Sequence, residues 1–181
     1  MSLSFTSQVL EIEAIVDYVF SKKRLAAEAA QMAAPQIAFV EDNAFKVLYN
    51  NKRLAILGEA VLARELCSAW FRMRGSHDDA LSPAQWTQLR NDLISNDALA
   101  HRGYTVGIDQ VIITASSTPT VSPKMVAATF GAIIGAVHED GGDAAVHKVM
   151  QHLGFFDHAL LTVTSLFFHS HPQHEQRLVM H

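Results

Sequence analysis

Residues 51–74 contain no proline and a single glycine, Gly58. Apolar side chains at Leu54, Ile56, Leu57, Val61, Leu62, Leu66, Trp70 and Met73 form a surface too wide for a helix lying on a protein's exterior. The stretch therefore predicts a long, central, largely buried helix, and the rest of the chain must supply its neighbours. Hydrophobic residues make up 49% of the 181 and charged residues 18%, enough for one domain to offset its ordering entropy by burial.

Those neighbours read as helices too. Ile12, Ile15, Val16, Val19 and Phe20 recur at helical spacing within 11–20. The alanine-rich run 22–34 predicts a second helix ending before Pro35. Ser82, followed by Pro83 and by Gln85 three residues on, is an N-cap with a capping-box partner and opens a helix to about Ile94. One or two turns follow over Asn96–His101, and Ser122-Pro123 caps a helix from Lys124 to about Glu139. Gly141-Gly142 ends it, and Asp143 starts another that Gly154 closes. Val106–Ile113 is β-branched, but one short run does not make a sheet. The expected class is all-α, with one domain over 1–155 and a C-terminal tail over 156–181.

Fourteen Lys and Arg against eighteen Asp and Glu leave a net charge of −4. A domain that grips nucleic acid unaided is expected to be basic, so this balance favours other partners. Cys67 is the single cysteine, which excludes an internal disulfide and a Cys-based zinc site and is expected of a reducing, intracellular setting. The N-terminal residues lack a basic-then-apolar pattern, and no run reaches the ~20 apolar residues of a membrane span. No membrane partner is expected.

Four segments, taken in order, resemble the ribonuclease III catalytic domain. Asn51-Lys52-Arg53-Leu54-Ala55-Ile56-Leu57-Gly58-Glu59-Ala60-Val61-Leu62 is similar to that family's signature helix N-E-R-L-E-F-L-G-D-A-V-L. Residues 128–142 are similar to its D-x-x-E-A-L-I-G-A-I-Y-L-D-G-G, residues 93–100 to its L-V-S-N-x-x-L-A, and residues 19–25 to its Y-x-F-x-x-x-x-L. The N-K-R-L-A variant resembles short, single-domain fungal members. The resemblance implies an all-helical ribonuclease III endonuclease-domain fold that forms a homodimer through the signature helix. It also implies a valley for double-stranded RNA in which four carboxylates hold Mg²⁺. Hard divalent ions need such oxygen donors, and paired ions clamp the attacking and leaving oxygens of a phosphodiester.

Carried over one by one, the family's first glutamate falls on Ala55, its aspartate on Glu59, its second aspartate on Ala128 and its last glutamate on Gly131. Three of the four ligand positions are degenerate, no metal set is expected, and Mg²⁺ is assigned only to active relatives. The expected function is a pseudo-nuclease serving as an RNA-associated or scaffold protein, for which ribonuclease III-fold proteins of the mitochondrial ribosome are a family precedent. Its partners would be a second copy, double-stranded RNA or a protein assembly. The alternatives are a non-nucleolytic enzyme acting on a small organic substrate and residual ribonuclease activity in RNA processing. For the former, Glu59, desolvated in an enclosed apolar cavity, and His101 are the candidate acid–base residues. Lys52, Arg53, Asn96 and Lys124 are candidate substrate contacts.

Other features have plainer readings. His138, Glu139 and Asp140 fit a solvated helix end in which Asp140 braces the Gly141-Gly142 turn. Cys67 fits a buried small hydrophobe, and Trp70, Phe71 and Trp86 fit a core or dimer interface. His169, His171 and His174 have the spacing of an adventitious metal binder, and the apolar run 160–168 is expected to pack on a partner subunit.

Overall fold

The structure is a computed structural model that describes residues 3–32, 37–41, 44–75, 78–115, 117–118 and 120–162. The described residues are mostly helical: α1 (Leu3–Val16), α2 (Lys23–Ala30), α3 (Lys52–Arg72), α4 (Pro83–Ile94), α5 (Asn96–Val106), α6 (Ile108–Val111), α7 (Pro123–His152) and α8 (Ala159–Thr162). One antiparallel hairpin, β1 (Ile37–Glu41) and β2 (Ala44–Leu48), pairs Ile37 with Leu48 and Glu41 with Ala44.

α7 occupies the centre. Its residues from Thr129 to Val137 are all buried, and α3, α5 and α2 pack around them. The expectation that α3 is central and largely buried is therefore corrected. One side of α3 meets α7 through Leu54, Gly58, Val61 and Leu62, while Ile56 and Phe71 on its other side are 71% and 73% exposed. The apolar surface of α3 is wide because it serves more than one side: α7 covers one, α4 meets Trp70, and Ile56 and Phe71 face outward.

Glycines set the α3–α7 distance. A Cβ on Gly58 would fall 1.7 Å from the Gly131 carbonyl oxygen, and one on Gly135 would fall 2.2 Å from the Leu54 carbonyl oxygen. The two backbones thus touch directly. At the entry to α3, the Asn51 side chain, only 1% exposed, donates to the Ala29 carbonyl (3.1 Å) and lies 3.2 Å from the Thr129 hydroxyl. One amide ties α2, α3 and α7 together.

Local signals account for most boundaries. The Ser82–Gln85 capping box is formed as expected, with Pro83 in the first turn. Gly142 takes φ 69° and ψ −166° inside α7, breaking it where the Gly141-Gly142 pair predicts an end. Other boundaries moved. α1 starts at Leu3 and stops at Val16, because Asp17 adopts φ 50° and the Phe20 amide donates to the Glu13 carboxylate (2.7 Å). α2 stops at Ala30 rather than residue 34, because Gln31 turns extended and bridges Ile113. The Ile113 amide donates to the Ala30 carbonyl (2.9 Å), so a tertiary bond replaces continued helix. α5 runs on past His101 to Val106, where left-handed Gly107 caps it.

Asp140 is structural, but its partners are not the glycines. It accepts from the Tyr18 hydroxyl (2.8 Å) and from the Ser21 (2.7 Å) and Lys22 (2.9 Å) amides, fastening the α1–α2 connection to α7. Burial alone would raise its pKa. The two amides, the Tyr18 hydroxyl and the Lys22 charge outweigh that and hold the carboxyl below its usual range. His138 lies 3.2 Å from Asp143, which also pairs with Arg64 of α3. Cys67 is half-buried, Trp70 packs on Trp86 with ring centroids 5.9 Å apart, and Phe155 closes the core against Phe130. Partly buried Leu160 and Leu161 pack on this core. His169, His171, His174 and the rest of the apolar run beyond residue 162 lie outside the described residues.

Candidate functional site

The four family positions converge. Ala55 and Glu59 stand one turn apart on α3, and Ala128 and Gly131 one turn apart on the first half of α7. A Cβ on Gly131 would lie 3.3 Å from the Ala55 carbonyl oxygen and 3.9 Å from Glu59 Cγ. Positions from α3 and α7 thus meet at this junction, and three of the four side chains offer no oxygen.

Two hollows flank this junction and divide the candidate residues between them. The first, about 240 Å³, is lined by Glu59, Arg90, Ser95 and Asn96 over Leu62 and Leu99. Glu59 is exposed there, among polar groups. The second, about 410 Å³, contains Ala55 and Ala128 with Ile56, Met32 and Met125, and carries Lys52 and Lys124. Its accessible lining is apolar.

The sequence-derived residues are thus sorted by geometry. Glu59 and Asn96 share the polar hollow, and Lys52 and Lys124 share the apolar one. His101 joins neither: it lines a separate hollow with Asp92, Arg102 and Thr105, so the Glu59–His101 acid–base pairing is not brought together. The enclosed apolar cavity around Glu59 required by the non-nucleolytic enzyme is likewise not what the structure places there. Arg53 lies away from Lys52, beside Arg24, Glu28 and Glu139. Burial raises the pKa of Glu28, only 7% exposed, and the charges of Arg24 and Arg53 oppose that rise. Arg53 therefore has an electrostatic task within the fold. The residue missed from the sequence is Arg90, which α4 delivers opposite Glu59; a lone arginine on an amphipathic helix carries no signal of that placement.

Mg²⁺ fits this donor set poorly. One exposed carboxylate remains, and among the described residues no group of three His, Cys, Asp or Glu side chains is placed to hold a metal ion. Two cations held for in-line attack need more oxygens than Glu59 supplies.

The fold is similar to solved nuclease domains of ribonuclease III from Campylobacter jejuni. One aligns with a TM-score of 0.62 at 23% identity, covering 79% of this chain and 93% of that domain, and is described for structural flexibility in a region involved in dimer formation. A second aligns with a TM-score of 0.59 at 22% identity, covering 80% of this chain and 91% of that domain. A search of curated sequences gives no match. The profile of the family described as Ribonuclease-III-like matches residues 38–156, most of the chain, and the chain belongs to that family.

Proposed function

We propose that this protein is a ribonuclease III-fold scaffold that pairs through α3 and associates with an RNA-containing or protein assembly without metal-dependent cleavage. The observation that carries the reading is the trio Ala55, Ala128 and Gly131, side chains without an oxygen, at the α3–α7 junction. Ionic chemistry there is reduced to Glu59, which faces Arg90 and Asn96 rather than a second carboxylate. Pairing is supported by the outward face of α3, where Ile56, Ala60 and Phe71 are exposed. An exposed apolar strip of this kind marks an interaction surface.

The test is incubation of the full chain with duplex RNA and Mg²⁺ or Mn²⁺. No metal-dependent scission is expected, and Glu59→Ala should change nothing. Scission that Glu59→Ala abolishes would overturn the reading and restore residual ribonuclease activity. Light scattering of Ile56→Asp beside the parent tests the pairing: a dimer that becomes monomeric supports it, and equal masses contradict it.

A further inference from the structure

We infer that the polar hollow among α3, α4 and α5 binds an aliphatic amino acid as its zwitterion, the ammonium on Glu59, the carboxylate on Arg90 and the side chain over Leu62, Ile94 and Leu99. This goes beyond the scaffold reading, and its readout, metal-free binding of a small molecule, is separate from duplex scission.

Uncommitted polar groups converge on this hollow. Its wall carries Glu59 from α3, Arg90 from α4 and Asn96 from α5, and all three are exposed. Among the described residues none of these side chains makes an ion pair or a hydrogen bond, whereas Glu13, Glu28, Glu65, Asp92 and Asp143 are all paired. Glu59 and Arg90 thus hold opposite charges on one cavity wall without neutralising each other. The floor is aliphatic, with Leu62 and Leu99 buried and Ile94 half-buried. Ile56, Ala60 and Phe71, the exposed residues assigned to pairing, are not on the wall; from α3 it takes Glu59, Leu62 and half-buried Ala63.

Opposite charges side by side select the occupant. A metal ion meets one carboxylate and the repulsion of Arg90. An RNA phosphate meets Arg90 and the repulsion of Glu59, and any singly charged ligand leaves one wall charge unmatched. A guanine edge offers N–H groups to Glu59 and acceptors to Arg90, but neither contact then joins two full charges. A zwitterion answers both. Its ammonium has three N–H donors for the Glu59 carboxylate and the Asn96 amide oxygen, and its two carboxylate oxygens match the guanidinium fork. At about 240 Å³ the hollow falls below the usual range of ligand pockets, room for an amino acid rather than a nucleotide. The aliphatic floor favours a leucine-like side chain over a polar one.

Calorimetric titration of the full chain with leucine in metal-free buffer tests the inference, beside leucinamide, which lacks the carboxylate, and isocaproate, which lacks the ammonium. Saturable binding of one leucine per chain is expected, about tenfold tighter than either analogue, the worth of one charge-assisted contact. Arg90→Gln should erase the preference over leucinamide and keep the preference over isocaproate, and Glu59→Gln should do the reverse. Should a variant fail to fold, the analogue series on the parent decides alone. Absent or non-saturable binding, equal affinity for leucine and either analogue, preferences unmoved in both variants, or guanosine bound more tightly than leucine overturns the inference. Ile56→Asp should bind leucine as the parent does; binding by that variant alone would show that a second copy covers the hollow, and overturns it too.

Discussion

Gly58 of α3 rests on the backbone of Gly131 in α7, with the space for a Cβ already taken by a carbonyl oxygen 1.7 Å away. The obstacle is main chain within two packed helices, so no rotamer change relieves it. Gly58→Ala is expected to cost about 3 kcal/mol or more, the upper range for overpacking. Urea melts of the two proteins measure it, and a difference below about 0.5 kcal/mol would show that α3 stands farther from α7.

Tyr18 and Asp140 respond to pH in opposite directions. Burial, the Asp140 hydrogen bond and its negative charge push the Tyr18 hydroxyl up to about 12. Its contribution to stability is full below tyrosine's ordinary value and fades as pH rises through about 12. Asp140, held low, contributes above the ordinary carboxylate range and loses that contribution as pH falls through its lowered value. Asp140→Asn should cost about 1–2 kcal/mol at neutral pH. In an ultraviolet titration it should also bring the Tyr18 transition below its parental midpoint, with Tyr18→Phe identifying that transition.

Asn51 makes its bonds in a place water does not reach. Asn51→Leu keeps the bulk but strands the Ala29 carbonyl and the Thr129 hydroxyl, and is expected to destabilise by about 2–3 kcal/mol. Thermal melting checks this; an unchanged midpoint would mean the amide is replaceable.

Because the four family positions still meet, the missing donors can be reinstated. Ala55→Glu, Glu59→Asp, Ala128→Asp and Gly131→Glu together should give a melting temperature that rises with Mn²⁺, which the parent lacks. The Gly131 change carries a cost of about 1 kcal/mol, since its Cβ must sit 3.3 Å from the Ala55 carbonyl oxygen. No metal response in a folded variant would show that the backbone presentation has also drifted.

What was legible in the chain was whatever a few adjacent residues decide. Ser82, Pro83 and Gln85 cap α4 wherever α4 sits, and Gly142 interrupts α7 because only its backbone reaches φ 69° easily. The hairpin was not legible: Ile37, Phe39 and Val40 lack the clean apolar–polar alternation that marks a half-buried strand. Gln31 ends α2 through Ile113, more than eighty positions away, which no local pattern contains. The site shows the same division. The identities at 55, 59, 128 and 131 could be read off directly, whereas the separation of Glu59 from His101, and of Lys52 from Arg53, depends on helix rotation.

The break at Gly142 leaves the two halves of α7 under unequal rules of change. Ahead of it, Gly135 is held to hydrogen as a side chain by the Leu54 carbonyl oxygen, and the main chain of Gly131 bears directly on Gly58. Behind it, the helix is attached to α3 by side-chain tips, Arg64 to Asp143 and His147 to Glu65. Apart from the buried Val146, Val149 and Met150, mutational drift should therefore accumulate in residues 143–152 while 126–137 stay nearly frozen, so two such chains can share one architecture yet present different surfaces to their surroundings.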